Sequence, residues 1–491
     1  MGVDIVWLRD DFRLDDQPAI AAAADRPALT VYVHDEQARN GRPLGGAAKW
    51  RLARSLTAME KRLTERGARL DVLRGDADRM ILAVAEAADA ARVAWTRRYQ
   101  SAATALDAGV KAALRERGVK GLSFNGRLMR EPWELAKSDG AQAAIFSAFW
   151  RLHQAFGALS PPLPAPARLN AAPWPRHAPE RVPVEALRLT PTAPDWSAEL
   201  AVDETPGEQG GLFALARFAD EVLPSYARER DMLAPDATSR LSAHLRFGEI
   251  SVRRAAAAVE AAAARHPRLA QPAEKYLAEL GWRDFATALL TAHPDMAERP
   301  LRREFERFPY LDDRAGFRAW ARGETGYPIV DAGMRQLWRT GYMPNRARMI
   351  AASFLVKHLL IDWRRGEQWF WDTLCDADPA SNPQNWQWVA GCGVDAAPYF
   401  RIFNPLLQAE KFDRDGAYVR RWVPELARLE APYTHAPWRA PEKALARAGV
   451  VLGKTYPMPV VDHAAARARA LAAFARMRGE GDDDSIVSLQ T

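Results

Sequence analysis

Residues 375–403 read CDADPASNPQNWQWVAGCGVDAAPYFRIF. Between Asp376 and Trp388 this stretch holds two acids, Asp376 and Asp378, the amide Asn382 and the tryptophans Trp386 and Trp388, directly after an apolar helical run. So many polar and aromatic groups in so short a segment mark a site. The paired acids suit a metal, but no His or third carboxylate follows at ligand spacing, and no metal is expected. Two blocks upstream, TGYPIVDAGMRQL (325–337) and NRARMIAASFLVK (345–357), belong to the same helical stretch.

From these blocks outward, helical spacing runs from Gly211 almost to Arg478 without a convincing strand run, which predicts an all-α C-terminal domain over 208–478. The closing GEGDDDSIVSLQT (479–491) reads as a flexible acidic tail. The N-terminal part is different. Residues 3–7, 29–33, 69–73, 92–95 and 119–124 are short apolar or β-branched runs separated by alanine-rich segments of helical spacing, such as 47–66 and 76–88. That alternation predicts an α/β domain over 1–130, a Rossmann-like parallel sheet covered on both faces. No GxGxxG follows the first run, so a dinucleotide site of that type is not expected there. Residues 131–207, rich in proline from about Ala158 onward, read as a connector wrapped on a surface, pinned by Trp174, Leu187 and Trp196.

The totals narrow the function only a little. A chain of 491 residues implies two or three domains. The net charge of +6 leans toward an anionic partner such as nucleic acid. Two cysteines cannot build a disulfide framework or a four-ligand zinc site, which suits a reducing cytosol. With no signal peptide or membrane-length apolar run, a cytoplasmic protein without membrane attachment is expected, and a monomer. Many of the 17 tryptophans fall late in the chain, and composition alone does not separate core packing from stacking or electron transfer.

Taken together, the three C-terminal blocks resemble the flavin-binding helical domain of the photolyase/cryptochrome family. The resemblance covers nearly the whole chain and is most like the microbial cyclobutane pyrimidine dimer DNA photolyases. It implies FAD as cofactor, UV-damaged DNA as partner, and light-dependent splitting of the dimer by a carbon–carbon lyase. YARERDMLAPDATSRLSAHLRFGEIS (226–251) puts hydroxyls around a new helix start, where they suit a phosphate or an ordinary N-cap. By resemblance Tyr226, Thr238, Ser239, Arg240, Leu241 and Ser242 hold the FAD pyrophosphate. Glu279, Trp282 and Arg283 fall at i, i+3 and i+4 on one helical face. By resemblance Glu279 meets the carbonyls of the lesion and Trp282 stacks on its flipped bases. By the same resemblance Asn345, Arg346 and Met349 face the substrate mouth, Arg348 pairs with Asp376 beside the flavin, Asp378 completes the polar rim, and Trp388 is a second aromatic wall.

Asn382 matches the position facing the flavin N5, where photolyases typically have Asn and plant cryptochromes Asp; an amide has no acidic proton to give. Trp386 and Trp363 match the first two members of an electron-relaying tryptophan chain. Tyr310 stands where the third tryptophan belongs, and tyrosine must lose its proton to be oxidised near neutral pH. Slow final transfer, or a substitute donor such as Trp320, follows. Pro344 stands where (6-4) photolyases carry a proton-transferring histidine, and proline is no acid or base. The opening VWLRDDFRLDDQPAI departs from the family pattern, with Asp10 for arginine and Gln17 for asparagine, and weaker local contacts are expected there. An antenna chromophore, folate or deazaflavin, is left open, since Ala102 and Ala103 stand where some folate-binding members carry an amide and an acid. The alternatives are a cryptochrome-like photoreceptor, (6-4) repair, and a non-photochemical flavoprotein or plain nucleic-acid-binding protein.

Overall fold

A computed structural model describes residues 2–36, 41–136, 140, 142–201, 205–395 and 400–479. The tail expected over 479–491 lies, apart from Gly479, outside them. The chain divides into two compact units: Met1–Arg228 with Thr238–Pro294 and Asp372–Ser381, and Glu229–Ala237 with Asp295–Trp371 and Asn382–Thr491.

The first unit contains the sheet. Strands β1 (Val3–Leu8), β2 (Pro27–His34), β3 (Leu70–Arg74), β4 (Ala90–Thr96) and β5 (Lys120–Phe124) lie in the order β3-β2-β1-β4-β5, all parallel. Each coincides with a run expected from the sequence. Side chains alternate across a pleated strand. On one face Val6, Leu8, Tyr32 and Val72 pack with Ile20 of helix α1 (Pro18–Ala23) and with Leu52, Leu56 and Met59 of α2 (Gly46–Thr64). On the other, Ile5, Trp7, Val31, Val93 and Trp95 pack with Ile81 and Val84 of α3 (Ala77–Ala87) and with Val110 and Leu114 of α4 (Ser101–Glu116). Burial on both faces is why these strands read as continuous apolar runs. The strand order reverses between β1 and β4, so the loops after these two strands meet at the carboxyl edge of the sheet.

Those loops overturn one expectation. Asp10 does not weaken the β1 loop; its carboxylate lies 3.2 Å from Arg246, 3.3 Å from Arg98 and 3.8 Å from Arg127. Burial alone would raise this acid, but Arg98, Arg246 and Arg127 hold it well below the usual carboxylate range. Gln17 does not weaken the loop either, because it caps the helix that follows. Its Oε1 accepts from the Ala19 and Ile20 N–H groups at the start of α1, and its Nε2 donates to Asp11 at 2.7 Å.

The connector is more structured than its proline content suggests. Val184 and Leu187 are buried against the α1/α2 face, Trp174 packs against the α3/α4 face, and Trp196 lies against Trp50 and Cys375. Asn170–Ala171 adds a two-residue strand, β6, beside β2, and a helix, Phe146–Ala155, forms where the sequence reading placed only connector. The rest of the unit is helical. Val252–Arg265 and Ala270–Ala292 bury Val252, Ala256, Val259, Tyr276 and Leu280 against Phe218, Leu223 and Leu241.

The second unit is helical throughout its named elements. Its TGYPIVD block owes its composition to packing. Asp331, fully buried, accepts from the N–H and hydroxyl of Thr325, from the Gly326 N–H and from the Tyr456 hydroxyl. Those bonds fix the entry to the helix Pro328–Thr340, with Pro328 in its first turn and Gly341 closing it at φ 64°.

Candidate functional site

In the first unit, Tyr226 is buried, edge-on to Phe218 at 5.2 Å. The segment from Thr238 to Ser242 follows it in space along the same core, with Leu241 fully buried and Thr238, Ser239 and Arg240 partly exposed. The Ser239 hydroxyl accepts from the Leu241 N–H at 3.3 Å, and the Thr238 carbonyl accepts from Arg217. Arg240 has φ 57°, a left-handed backbone that a non-glycine residue adopts only under constraint from its surroundings. Hydroxyls and a guanidinium on a rigid, partly exposed turn are donors of the kind a diphosphate needs, so the residues fit the group expected of them.

Asp378 has a double task. Its Oδ1 accepts from the Ala380 and Ser381 N–H groups at 2.9 Å, starting the helix Ser381–Ala390, and its Oδ2 lies 3.8 Å from Arg127. Burial would raise this acid; Arg246, Arg127 and Arg283 outweigh that and leave it depressed. Asp376, beside it, is partly exposed. Four arginines, Arg98, Arg127, Arg246 and Arg283, thus lie around Asp10 and Asp378. Nothing in the sequence spacing announces this cluster.

On the helix Ala270–Ala292, Glu279 is paired with Lys275 at 3.3 Å, and Trp282 is partly buried with its ring parallel to that of Phe146, centroids 3.8 Å apart. Arg283 differs from the expectation of an acid–aromatic–cation trio. Its long side chain reaches inward and donates to the carbonyls of Arg127 and Leu245 at 3.3 Å, while Glu279 pairs with Lys275.

The second unit carries the remaining residues. On the helix Asn345–Ser353, Asn345 is exposed and Met349 partly so, Arg346 pairs with Asp231 at 2.6 Å and lies over the Phe412 ring, and Arg348 donates to the Met343 carbonyl at 2.7 Å. Pro344 caps this helix with φ −58°. Trp388 is partly exposed.

Asn382 is buried, and its Nδ2 donates to the backbone carbonyl of Glu367 at 3.0 Å and to its carboxylate Oε1 at 2.7 Å. The amide is therefore oriented with its donor toward Glu367, leaving Oδ1 as the acceptor on its other side. Sequence reasoning missed Glu367. A signal was present, because in WRRGEQWFWDT Trp363, Glu367 and Phe370 fall at i, i+4 and i+7, so an acid sits on the apolar face of its helix.

One consequence of this pair is testable. Replacing Asn382 by Asp sets two buried carboxyls within hydrogen-bond reach, where both cannot ionise cheaply, so they share one proton well above the usual range of about 4. A folded-state proton held in this way stabilises below that range and is lost as pH rises. The stability deficit of Asn382→Asp relative to the parent should grow as pH rises from 5 toward 9, by about 1.4 kcal/mol per unit while the folded state alone still holds the shared proton, and level off once that proton is lost. A deficit that stays flat across that range in denaturant titrations would sink the idea.

Trp386 is buried beneath Gly366, where a Cβ would stand 2.1 Å from its Cη2, so only glycine admits the ring. Its ring neighbours are Phe370 at 4.9 Å and Trp320 at 6.2 Å. Trp320 is fully buried and donates to the Ala351 carbonyl; Phe317 lies 5.7 Å from it and 6.2 Å from Trp369, whose ring is stacked at 6.1 Å on the half-exposed Trp338. Trp363 is fully buried, with the Arg364 guanidinium 5.2 Å over its ring. Tyr310 packs on Phe308 at 4.8 Å. Burial, with Cys392 and Asp362 nearby, pushes its hydroxyl well above its ordinary value.

A parallel α/β sheet, a helical second unit, a hydroxyl-rich turn fit for a diphosphate and buried tryptophans are what the resemblance to the flavin-binding photolyase/cryptochrome class implies. Comparison with known proteins agrees: residues 4–167 match the family model described as DNA photolyase, and 276–476 that of the FAD binding domain of DNA photolyase. The deoxyribodipyrimidine photo-lyase of Agrobacterium fabrum is 47% identical over 477 residues, covering 96% of this chain and 98% of that protein. The crystal structure of a bacterial class III photolyase from Agrobacterium tumefaciens superposes with a TM-score of 0.93 at 46% identity, covering 98% of each chain. Cryptochrome-1 of Arabidopsis thaliana is 36% identical, over 97% of this chain and 70% of its own. The chain belongs to the DNA photolyase family.

Proposed function

We propose that this protein is a light-dependent deoxyribodipyrimidine photolyase that binds FAD and splits cyclobutane pyrimidine dimers in UV-damaged DNA. End-to-end likeness to the Agrobacterium lyase carries this reading. When bound, reduced FAD supplies the photoexcited electron that opens the dimer. The chain's own residues hold, orient and keep dry. Tyr226, Thr238, Ser239, Arg240, Leu241 and Ser242 grip the diphosphate; Arg348, Asp376 and Asp378 set the charge at the flavin ring; and Asn382, turned by Glu367, offers a carbonyl acceptor to a protonated ring nitrogen. Glu279, Trp282, Asn345, Arg346, Met349 and Trp388 receive the extruded lesion, an extrusion that is cheapest where base pairing is already damaged. Pro344 has no proton to transfer, which favours cyclobutane dimers over (6-4) photoproducts.

The same reading divides the chain into an antenna-type α/β domain to residue 130, a connector to 207, a catalytic domain to 478 and a short tail, in a cytoplasmic monomer. No helix among the described residues is long and apolar enough to cross a membrane. The antenna itself stays open: a folate, a deazaflavin or none.

Blue-light repair of an oligonucleotide carrying one cyclobutane dimer, with chemically pre-reduced protein and a dark control, tests the proposal. Repair in light only is the expected result. Lesion binding without repair would replace it with the photoreceptor reading.

A further inference from the structure

We infer that the helix Phe146–Ala155 is the back wall of the lesion pocket, and that Phe146 is a positioning residue fixing the Trp282 ring so that one face alone is left for a base. This rests on the reading of Trp282 as a lesion contact. The rings form a column: Phe146 lies parallel to Trp282 at 3.8 Å and 9°, Trp150 follows Phe146 at 6.1 Å and 14°, and His153 follows Trp150 at 4.9 Å and 24°. Phe285 stands edge-on to both Phe146 and Trp282, at 5.9 and 5.7 Å, and blocks sideways rotation of the pair.

The sequence of the partner helix is shaped to this column. Gly281 sits in the interior of the helix Ala270–Ala292, where glycine is destabilising. A Cβ there would stand 2.5 Å from Cζ3 of Trp150, so the glycine makes room for that ring. One turn of the contact further on, the buried Asp284 accepts from the Arg130 N–H at 2.9 Å and lies 3.8 Å from His153 Nε2 at the far end of the column. A base that stacks on Trp282 therefore meets a ring already ordered, and escapes the entropy of ordering it.

Phe146→Ala frees the Trp282 ring and opens a gap behind it. An aromatic pair is worth enough that affinity for dimer-containing DNA should fall up to about tenfold, appearing as a raised KM with kcat retained. Affinity for undamaged DNA, which rests on phosphate contacts, should not move. Phe146→Tyr keeps the stack and should restore lesion affinity, while Gly281→Ala, which displaces Trp150, should reproduce the loss from a residue inside the helix packing. Binding is read by equilibrium titration of lesion and undamaged oligonucleotides against holoprotein, with Trp282→Ala alongside. Loss of both affinities in parallel, or lesion affinity retained in Phe146→Ala but lost in Trp282→Ala, would overturn the proposal. If Trp282→Ala itself binds the lesion normally, the lesion-pocket reading of Trp282 fails first and takes this one with it.

Discussion

Asp10→Asn is expected to lower the unfolding free energy by roughly 3–5 kcal/mol, because removing one partner of a buried ionic cluster strands the rest. The carboxylate faces Arg98, Arg127 and Arg246 and is 13% exposed. Asparagine keeps the shape and tolerates the left-handed backbone of this position, φ 55°, so the substitution isolates the charge. Gly248 adds to the constraint: at φ 60°, a Cβ there would stand 2.3 Å from the Asp10 carbonyl. The sign with pH follows from the depressed acid. Its contribution is present above the unfolded value of about 4 and fades as pH falls through the lower folded value, so parent and variant should converge on acidification. Asp15→Asn is the control, since its partner Arg254 is 31% exposed and such pairs contribute about 1 kcal/mol or less. An Asp10→Asn deficit no larger than that of Asp15→Asn in denaturant titrations would show that the cluster is only a surface network.

How much of this was legible in the sequence depended on how local the cause was. The strands were readable because burial on both sheet faces forces short β-branched runs, and those runs are visible without any partner. The tryptophan-rich C-terminal blocks were readable through resemblance, although the buried Asp331 in TGYPIVD is held by hydrogen bonds that serve the fold. The β1 loop was misread because the three arginines that accept Asp10 come from three distant segments, and no spacing rule joins residue 10 to residues 98, 127 and 246. The helix Phe146–Ala155 was hidden by the proline-rich stretch after it. Glu367 could have been found, since an acid on an apolar helix face demands a partner, and that partner is Asn382.

The route by which electrons reach the flavin site separates sharply in three variants. Trp386→Phe is expected to reduce light-driven reduction of the oxidised flavin to near zero, Trp320→Phe to slow it severely, and Tyr310→Phe to leave it close to the parent. The reason is chemical. Tryptophan can give up an electron before its proton, whereas tyrosine near neutral pH must release the proton as well. The Tyr310 hydroxyl is pushed well above its ordinary value by burial, with Cys392 and Asp362 nearby, so it gives up its proton reluctantly. Trp320, by contrast, lies 6.2 Å from Trp386 and connects through Phe317 and Trp369 to Trp338, which is 53% exposed and open to an external reductant. The measurement is the rate of bleaching of the oxidised flavin band under blue light with excess thiol, across pH. A route through Tyr310 would accelerate as pH rises and proton release becomes easier; a route through Trp320 would not. Should Tyr310→Phe bleach as slowly as Trp386→Phe, or Trp320→Phe as fast as the parent, electrons travel through Trp363 and Tyr310 after all.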